Sequence, residues 1–93
     1  MINITPAHTF NYSGSVLNTY HADKGEGLIK HEHSFNHATM CVSGSIIIRK
    51  EGKEIIADKN TQPFDLTANE WHEIEALEDG TVFINVFAES NNY

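Results

Sequence analysis

Short runs of alternating apolar and polar residues make up most of the chain, and turn residues interrupt them at close intervals. A period of two is typical of β-strands, and no segment carries the sustained apolar stripe of an amphipathic helix. The pattern predicts eight strands: Thr9–Tyr12, Val16–His21, Leu28–His33, His37–Ser43, Ile46–Lys50, Glu54–Asp58, His72–Leu77 and Thr81–Ala88. So many short strands predict an all-β fold, either a closed barrel or a two-sheet jelly roll.

Turn residues indicate how these strands are connected. The stretches KEGKE (50–54) and EDG (78–80) are typical of tight hairpins, because glycine accepts the positive φ that such turns require. Residues 34–36, Ser-Phe-Asn, provide a short reversal. The sequence contains no internal repeat, low-complexity tract or linker, so we expect residues 1–93 to form a single domain.

Composition limits the size of the core. The chain has 93 residues, of which 40% are hydrophobic and 20% charged, as in a soluble globular domain. A domain this short buries only about 60–65% of its unfolded surface. A partner subunit or a bound metal would therefore add useful stability.

Charge and cysteine content narrow the classes of partner. A net charge of −7 repels nucleic acid and anionic membrane surfaces, so neither is an expected partner. The single cysteine, Cys41, cannot form an internal disulfide. The start of the chain lacks the pattern of a signal peptide, and no run reaches the roughly 18 apolar residues of a membrane span. We therefore expect a cytoplasmic protein.

Histidines are crowded into one stretch of the sequence. Three of the six, His31, His33 and His37, lie within seven positions. On a strand, residues two apart point to the same face, so His31 and His33 should share a face with Ile29. The opposite face should then carry Leu28, Lys30 and Glu32. If residues 34–36 reverse the chain, the three imidazoles converge across a hairpin.

A fourth histidine lies much further along the chain. In the predicted strand from His72, Glu73 and Glu75 should face water, which places His72 and Ile74 in the interior. Cys41 shares a face with His37, where it either lines the cavity or packs as a small hydrophobic residue. Trp71 should point away from His72. Five aromatic residues are predicted core: Tyr12, Tyr20, Phe64, Phe83 and Phe87.

A helical metal site is the alternative interpretation. His33 and His37 are four residues apart, as in the His-Glu-x-x-His helix of zinc proteases. On a helix, however, His31 would point away from both, and the required glutamate is missing. The intervening residues are also weak helix formers. The strand interpretation is therefore favoured.

The spacing of these histidines resembles a known family. The pattern Gly25-x5-His31-x-His33-x3-His37-x6-Gly44 is similar to the first conserved motif of the cupins, G-x5-H-x-H-x3,4-E-x6-G, with His37 at the glutamate position. The second cupin motif, G-x5-P-x-G-x2-H-x3-N, is matched only at its histidine, His72. Its other fixed positions hold Thr61, Thr67, Asn69 and Ala76. Asn69 is tolerable there because asparagine enters the left-handed region more readily than most residues.

The resemblance implies a fold and a cofactor. The fold is a small double-stranded β-helix, the jelly-roll barrel of the cupins. The cofactor is one divalent transition metal per chain, held by His31, His33, His37 and His72. Imidazole ligands suit Mn, Fe, Co, Ni, Cu or Zn and disfavour Mg or Ca. Four neutral ligands leave the ion its full charge and, in octahedral geometry, two open positions for a chelating molecule.

Function is predicted less sharply than fold. The leading hypothesis is a metal-dependent, dioxygenase-like enzyme that acts on a small chelating molecule. The alternatives are a non-enzymatic module that binds a small ligand or metal, and a sugar-type isomerase or epimerase. The last ranks lower because no acid/base pair is apparent outside the four histidines. His8 and His21 belong to no motif and are expected to be ordinary histidines.

An apolar face predicts a homodimer. Ala38, Met40 and Val42 alternate with the site-facing residues of their strand, and similar apolar positions occur elsewhere, at Ile47, Val82, Ile84 and Val86. A strand that is apolar on both faces is normally covered on both. A second copy of the chain is the expected cover. The alternative is that residues 1–20 fold across this face.

Overall fold

The protein consists of two five-stranded β-sheets packed face to face, as a computed structural model shows for residues 1–88. The ten strands are β1 (Ile2–Asn3), β2 (His8–Tyr12), β3 (Ser15–Ala22), β4 (Glu26–His31), β5 (His37–Ser43), β6 (Ser45–Lys50), β7 (Lys53–Asp58), β8 (Phe64–Leu66), β9 (His72–Ala76) and β10 (Thr81–Ala88). The first sheet has the order β1-β4-β9-β6-β7 and the second the order β2-β3-β10-β5-β8. The all-β prediction is confirmed, and within residues 1–88 no helix is long and apolar enough to cross a bilayer.

All eight predicted strands are present, with ends shifted by up to two residues. The two additional strands, β1 and β8, have only two and three residues, too few to show an alternating pattern. The larger error concerns β4, which ends at His31 rather than at His33. His33 therefore lies in the connection that follows β4.

The sequence predicts hairpins at three connections, and the structure confirms only one of them. The hairpin at residues 50–54 is confirmed, since Lys50 pairs with Lys53 and Gly52 has a φ of 71°. Residues 78–80 do form a turn, with Gly80 at a φ of 72°, but it joins β9 of one sheet to β10 of the other. The prediction of a hairpin there is wrong, because the connection crosses between sheets instead of pairing neighbours.

Residues 32–36 form a second crossover. They connect β4 in the first sheet to β5 in the second, so the predicted hairpin between these strands is also wrong. Strand β4 instead pairs with β9, and β5 lies between β10 and β8. Residues from β4 and β5 can therefore meet only across the space between the two sheets.

A bulge in β4 corrects the predicted faces of this strand. Leu28 pairs with Ile74, and His31 pairs with His72, so three steps along β4 oppose two along β9. The extra residue brings Leu28 and His31 to the same side, although regular alternation would separate them. Leu28 is consequently buried, and Ile29, predicted on the inner face, is 48% exposed.

The core fills the space between the sheets. Its fully buried large side chains include Ile46, Ile48, Leu66, Ile74 and Phe83. Tyr20 stacks on Phe83 with ring centroids 4.8 Å apart, as the core prediction for both requires. Phe64 is half-buried against the core, and Phe87 is half-buried at a cavity described below. Tyr12 is 69% exposed, so its core assignment is wrong.

The outer faces of the two sheets differ in charge. On the first sheet, Arg49 forms ion pairs with Glu75, Glu73 and Glu54 at 2.8, 3.6 and 3.5 Å. On the second sheet, the three central strands β3, β10 and β5 contain no Asp, Glu, Lys or Arg. Strands β2 and β3 extend this second sheet and β1 joins the first, so residues 1–20 do not fold across the uncharged face.

Candidate metal centre

Four histidines from both sheets meet at one end of the space between them. His31 on β4 and His72 on β9 are paired neighbours in the first sheet. His37 opens β5 in the second sheet, and His33 lies in the crossover between the two. Ring centroids are 4.4 Å apart for His31 and His72, 4.8 Å for His33 and His37, and 5.0 Å for His33 and His72. The structure thus brings together all four residues named from the sequence.

His37 and His72 approach each other through ring nitrogens. Their Nε2 atoms are 3.4 Å apart, and both side chains are buried. His31, His33 and His72 each offer a nitrogen within 4.8 Å of the others. Two imidazole nitrogens on one tetrahedral metal, at about 2.0–2.1 Å from it, are roughly 3.4 Å apart. The spacing of His37 and His72 therefore fits a shared ion.

Hydrogen bonds to the outer nitrogens decide which way the rings present their lone pairs. His31 Nδ1 donates to the carbonyl of Ile29 at 2.7 Å, and His72 Nδ1 donates to the carbonyl of Glu70 at 3.2 Å. A carbonyl only accepts, so both Nδ1 atoms carry the proton. The Nε2 atom of each neutral ring is then a bare acceptor.

A buried relay fixes His37 in the same way. The Thr39 hydroxyl donates to Asn85 Oδ1 at 2.8 Å and therefore accepts from His37 Nδ1 at 3.1 Å. With Nδ1 protonated, His37 Nε2 faces His72 Nε2 as one acceptor facing another. Such hydrogen bonds on the outer nitrogen orient histidine ligands in metal sites.

His33 supplies a further sign of fit to a cation. Both of its ring nitrogens are buried and have no hydrogen-bond partner among the described residues. A buried nitrogen without a partner is costly, whereas a metal ion would satisfy it. Phe35 stacks on the His33 ring at 4.4 Å and holds it beside the cluster. The residues present thus fit a transition metal, which the four histidines would hold.

Burial lowers the pKa of the innermost rings. The pKa of His37 falls from 6.5 to about 4, first because burial disfavours the charged ring and then because His33 and His72 would repel its charge. The pKa of His72 also falls to about 4, through burial and then through His31 and His33. Burial likewise lowers the pKa of His33. His37 and His72 therefore remain neutral, as metal ligands must be, well below pH 6.

A cavity of about 370 Å³ opens beside the cluster. His31, His33 and His37 contribute to its wall, and the rest of the lining is uncharged: Asn3, Asn18, Tyr20, Leu28, Ile29, Phe35, Asn85 and Phe87. This volume is within the usual range of small-molecule sites. A bound molecule would therefore contact the histidines directly.

Other residues singled out in the sequence lie outside this site. Cys41 is buried and donates its S–H to the carbonyl of Ser43 at 3.3 Å, so it packs as a small core residue rather than lining the cavity. Burial raises the pKa of its thiol. The Trp71 ring lies 4.3 Å below Lys30 Nζ, away from the histidines. The rings of His8 and His21, on β2 and β3 of the second sheet, have centroids 5.8 Å apart.

The roles of Thr39 and Asn85 were not predicted from the sequence. Asn85 occupies an inward position of β10, between the inward residues Phe83 and Phe87 of a largely apolar strand. A polar residue at such a position is the signal that would have identified it. Its partner Thr39 lies two positions after His37 and so shares its strand face, but the alternating pattern does not show which residues from other strands it meets.

Comparison with known proteins identifies the fold. No family model matches the sequence, and no curated protein is significantly similar to it. Among solved structures, a cupin-2 domain protein from Shewanella frigidimarina superposes with a TM-score of 0.72 at 9% identity, over 91% of this chain and 83% of that one. A double-stranded β-helix protein from Klebsiella pneumoniae gives 0.72 at 18% identity, over 89% and 70%. KdgF from Halomonas sp. gives 0.72 at 19% identity, over 88% and 76%. The chain therefore has the cupin fold, as predicted.

Replacing Thr39 by Val tests the relay. Valine has the shape of threonine but can neither accept from His37 Nδ1 nor donate to Asn85. We expect zinc affinity to fall by roughly 10- to 100-fold, the usual effect of losing a partner of a ligating histidine. Competition with a chromophoric chelator measures the change. Thr19→Val, on the outer face of β3, is the matched control and should bind zinc like the wild type. Equal affinities for all three proteins would exclude the relay.

The lowered histidine pKa values predict an acid-sensitive metal-free protein. In the unfolded chain these rings take up protons as the pH falls through about 6.5, whereas His37 and His72 in the fold do so only near 4. The free energy of unfolding should therefore decrease between these values, by about 2 kcal/mol per histidine at pH 5.

Urea denaturation of the metal-free protein at pH 7 and pH 5 measures this loss. His37→Gln should lose less stability over the same interval, because one of the responsible rings is gone. The exposed His8, replaced by Gln, serves as the control and should follow the wild type. The same decrease in His37→Gln as in the wild type would contradict the assignment.

Proposed function

We propose that the chain is a transition-metal-dependent oxidoreductase that acts on a small chelating molecule in the manner of a dioxygenase. The observation that carries this proposal is a cluster of acceptor nitrogens beside a cavity of about 370 Å³. His31, His37 and His72 each present an unprotonated Nε2, and the ring nitrogens of His33 have no hydrogen-bond partner among residues 1–88. A metal bound there would polarise oxygen atoms of a chelating molecule or transfer electrons.

The protein's own residues would bind, orient and shield that molecule. His31, His33 and His37 border the cavity, so a molecule in it lies next to the cluster. His72 is fully buried behind this wall, where Glu70 holds its ring. Phe35 and Phe87, with ring centroids 5.2 Å apart, supply an apolar side that excludes water.

The lining argues against the isomerase alternative. Sugar isomerisation needs a general acid and a general base within reach of the substrate. Apart from the histidines, the lining side chains that can hydrogen-bond are three asparagines and one tyrosine. Burial raises the pKa of Tyr20, which makes it a poor base at neutral pH. A non-enzymatic binding module has the same requirements as the proposed enzyme up to the binding step, so experiment must separate these two.

Anaerobic reconstitution followed by oxygen measurement tests the proposal. We expect about one Fe, Mn, Co, Ni, Cu or Zn ion per chain by elemental analysis. Protein loaded with a redox-active ion should then consume O₂ when a chelating diketone, thiol or catechol is added. His72→Ala should lose the metal, because the cluster loses its most buried ligand, whereas His21→Ala should retain it. Absence of metal in the wild type would refute the proposal. Metal binding without O₂ uptake on any of these molecules would favour the binding module.

We also propose that two copies pair through the uncharged face of the second sheet. A chain of net charge −7 repels its copy, and the face with no charged residue on its three central strands is where that repulsion is weakest. This face also exposes apolar side chains, among them Phe10 at 59% and Val42 at 45%. A two-fold axis would let the face cover itself.

Light scattering tests the dimer directly. The wild type should have twice the 10.4 kDa mass of the chain at high micromolar concentration. Lysine at both Phe10 and Val42 should give the monomer, because it places charge on the pairing face without disturbing the core. The matched control places lysine at Ile2 and Ile56, which are 67% and 66% exposed on the first sheet, and should remain dimeric. A monomeric wild type would exclude the dimer.

A further inference from the structure

Three asparagines line the cavity beside the histidine cluster. Asn3 comes from β1, Asn18 from β3 and Asn85 from β10, so both sheets contribute. The side-chain amide of asparagine offers a ligand either a hydrogen-bond acceptor, Oδ1, or a hydrogen-bond donor, the NH₂ group at Nδ2. The hydrogen bonds that each amide already makes within the protein decide which of its two groups is more available to a ligand.

In all three, a protein group already occupies the oxygen. Asn3 Oδ1 accepts from the backbone N–H of Ile29 at 3.1 Å. Asn18 Oδ1 accepts from the Thr9 hydroxyl at 2.9 Å, and Asn85 Oδ1 accepts from the Thr39 hydroxyl at 2.8 Å. One lone pair of each oxygen is thus used by the protein, whereas the amide NH₂ group keeps two hydrogens with which it can donate to a ligand.

Tyr20 adds a further hydroxyl to this wall. It lies beside Asn18 on the inner face of β3, and its hydroxyl remains protonated because burial raises its pKa. A protonated hydroxyl can donate its hydrogen to an acceptor oxygen of a ligand.

The lining that the described residues give the cavity carries no charge that could balance a bound metal ion. Within residues 1–88, no Asp, Glu, Lys or Arg lines the cavity. Four neutral imidazoles would leave the two positive charges of a divalent ion uncompensated. Hydrogen-bond donors and an uncompensated cation both favour a ligand that brings negative charge and acceptor oxygens.

We infer that the ligand of this cavity is a small oxygen-rich anion of the carboxylate or 2-oxo acid class, whose oxygens accept hydrogen bonds from the amide NH₂ groups of Asn3, Asn18 and Asn85. The cavity volume of about 370 Å³ limits it to a small molecule, and Phe35 and Phe87 accommodate an apolar part. This inference rests on the proposed metal site and specifies its ligand.

Titration of zinc-loaded protein with pyruvate tests the inference by calorimetry, without any measurement of activity. Pyruvate should bind at least about tenfold more tightly than its neutral ester, methyl pyruvate, because hydrogen bonds to a charged ligand are the stronger ones. Asn18→Asp keeps an oxygen that can accept from the Thr9 hydroxyl and replaces only the amide NH₂ group by a second carboxylate oxygen, which adds a negative charge. It should weaken pyruvate binding at least about tenfold and reduce the preference over the ester.

Two further variants keep the test decisive. Asn3→Asp makes the same exchange from the other sheet and should also weaken pyruvate binding. Asn60→Asp adds the same charge at an exposed turn after β7 and should bind pyruvate like the wild type. Elemental analysis must show that each variant retains zinc. If both cavity variants keep zinc and bind pyruvate as tightly as the wild type, the inference is wrong and the metal site stands. If the wild type binds no zinc, the proposed function itself fails.

Discussion

The interaction on which the site depends is the approach of two imidazole lone pairs to within 3.4 Å, at the Nε2 atoms of His37 and His72. Each ring has its proton fixed on the far nitrogen, by Thr39 and by the carbonyl of Glu70. Two facing acceptors repel each other unless a cation lies between them. Since His37 belongs to one sheet and His72 to the other, a shared cation would also join the two layers of this small core.

Local spacing was sufficient to predict that the four imidazoles face a common interior, but not the way in which they meet. His31 and His33 are two positions apart, so they share a strand face, and alternation places His72 on the inner face because the glutamates that flank Ile74 face water. Sheet membership is different, because the same alternation arises whether a neighbouring strand pairs or crosses over. The crossover at residues 32–36 was therefore read as a hairpin, although the conclusion that the imidazoles converge was correct.

Irregularities account for the remaining differences. The bulge between Leu28 and His31 has no signature in the sequence, and it inverted the predicted faces of Leu28 and Ile29. Asn69 shows the opposite case. It was expected to tolerate a glycine position of the second motif, and its φ of 63° lies in the left-handed region. Conformational preference of a single residue is visible in a sequence, whereas the register between distant strands is not.

Strand β2 separates ligand choice from folding stability. All five of its residues are exposed, so it contributes little to the core, yet Thr9 holds the oxygen of Asn18 at the cavity wall. A substitution at Thr9 would change which group Asn18 presents to a ligand while leaving the buried side chains in place. Substitutions on this strand could therefore change ligand selectivity with little loss of folding stability. Most mutations destabilise a protein, but here the buried core that supplies the stability lies on other strands.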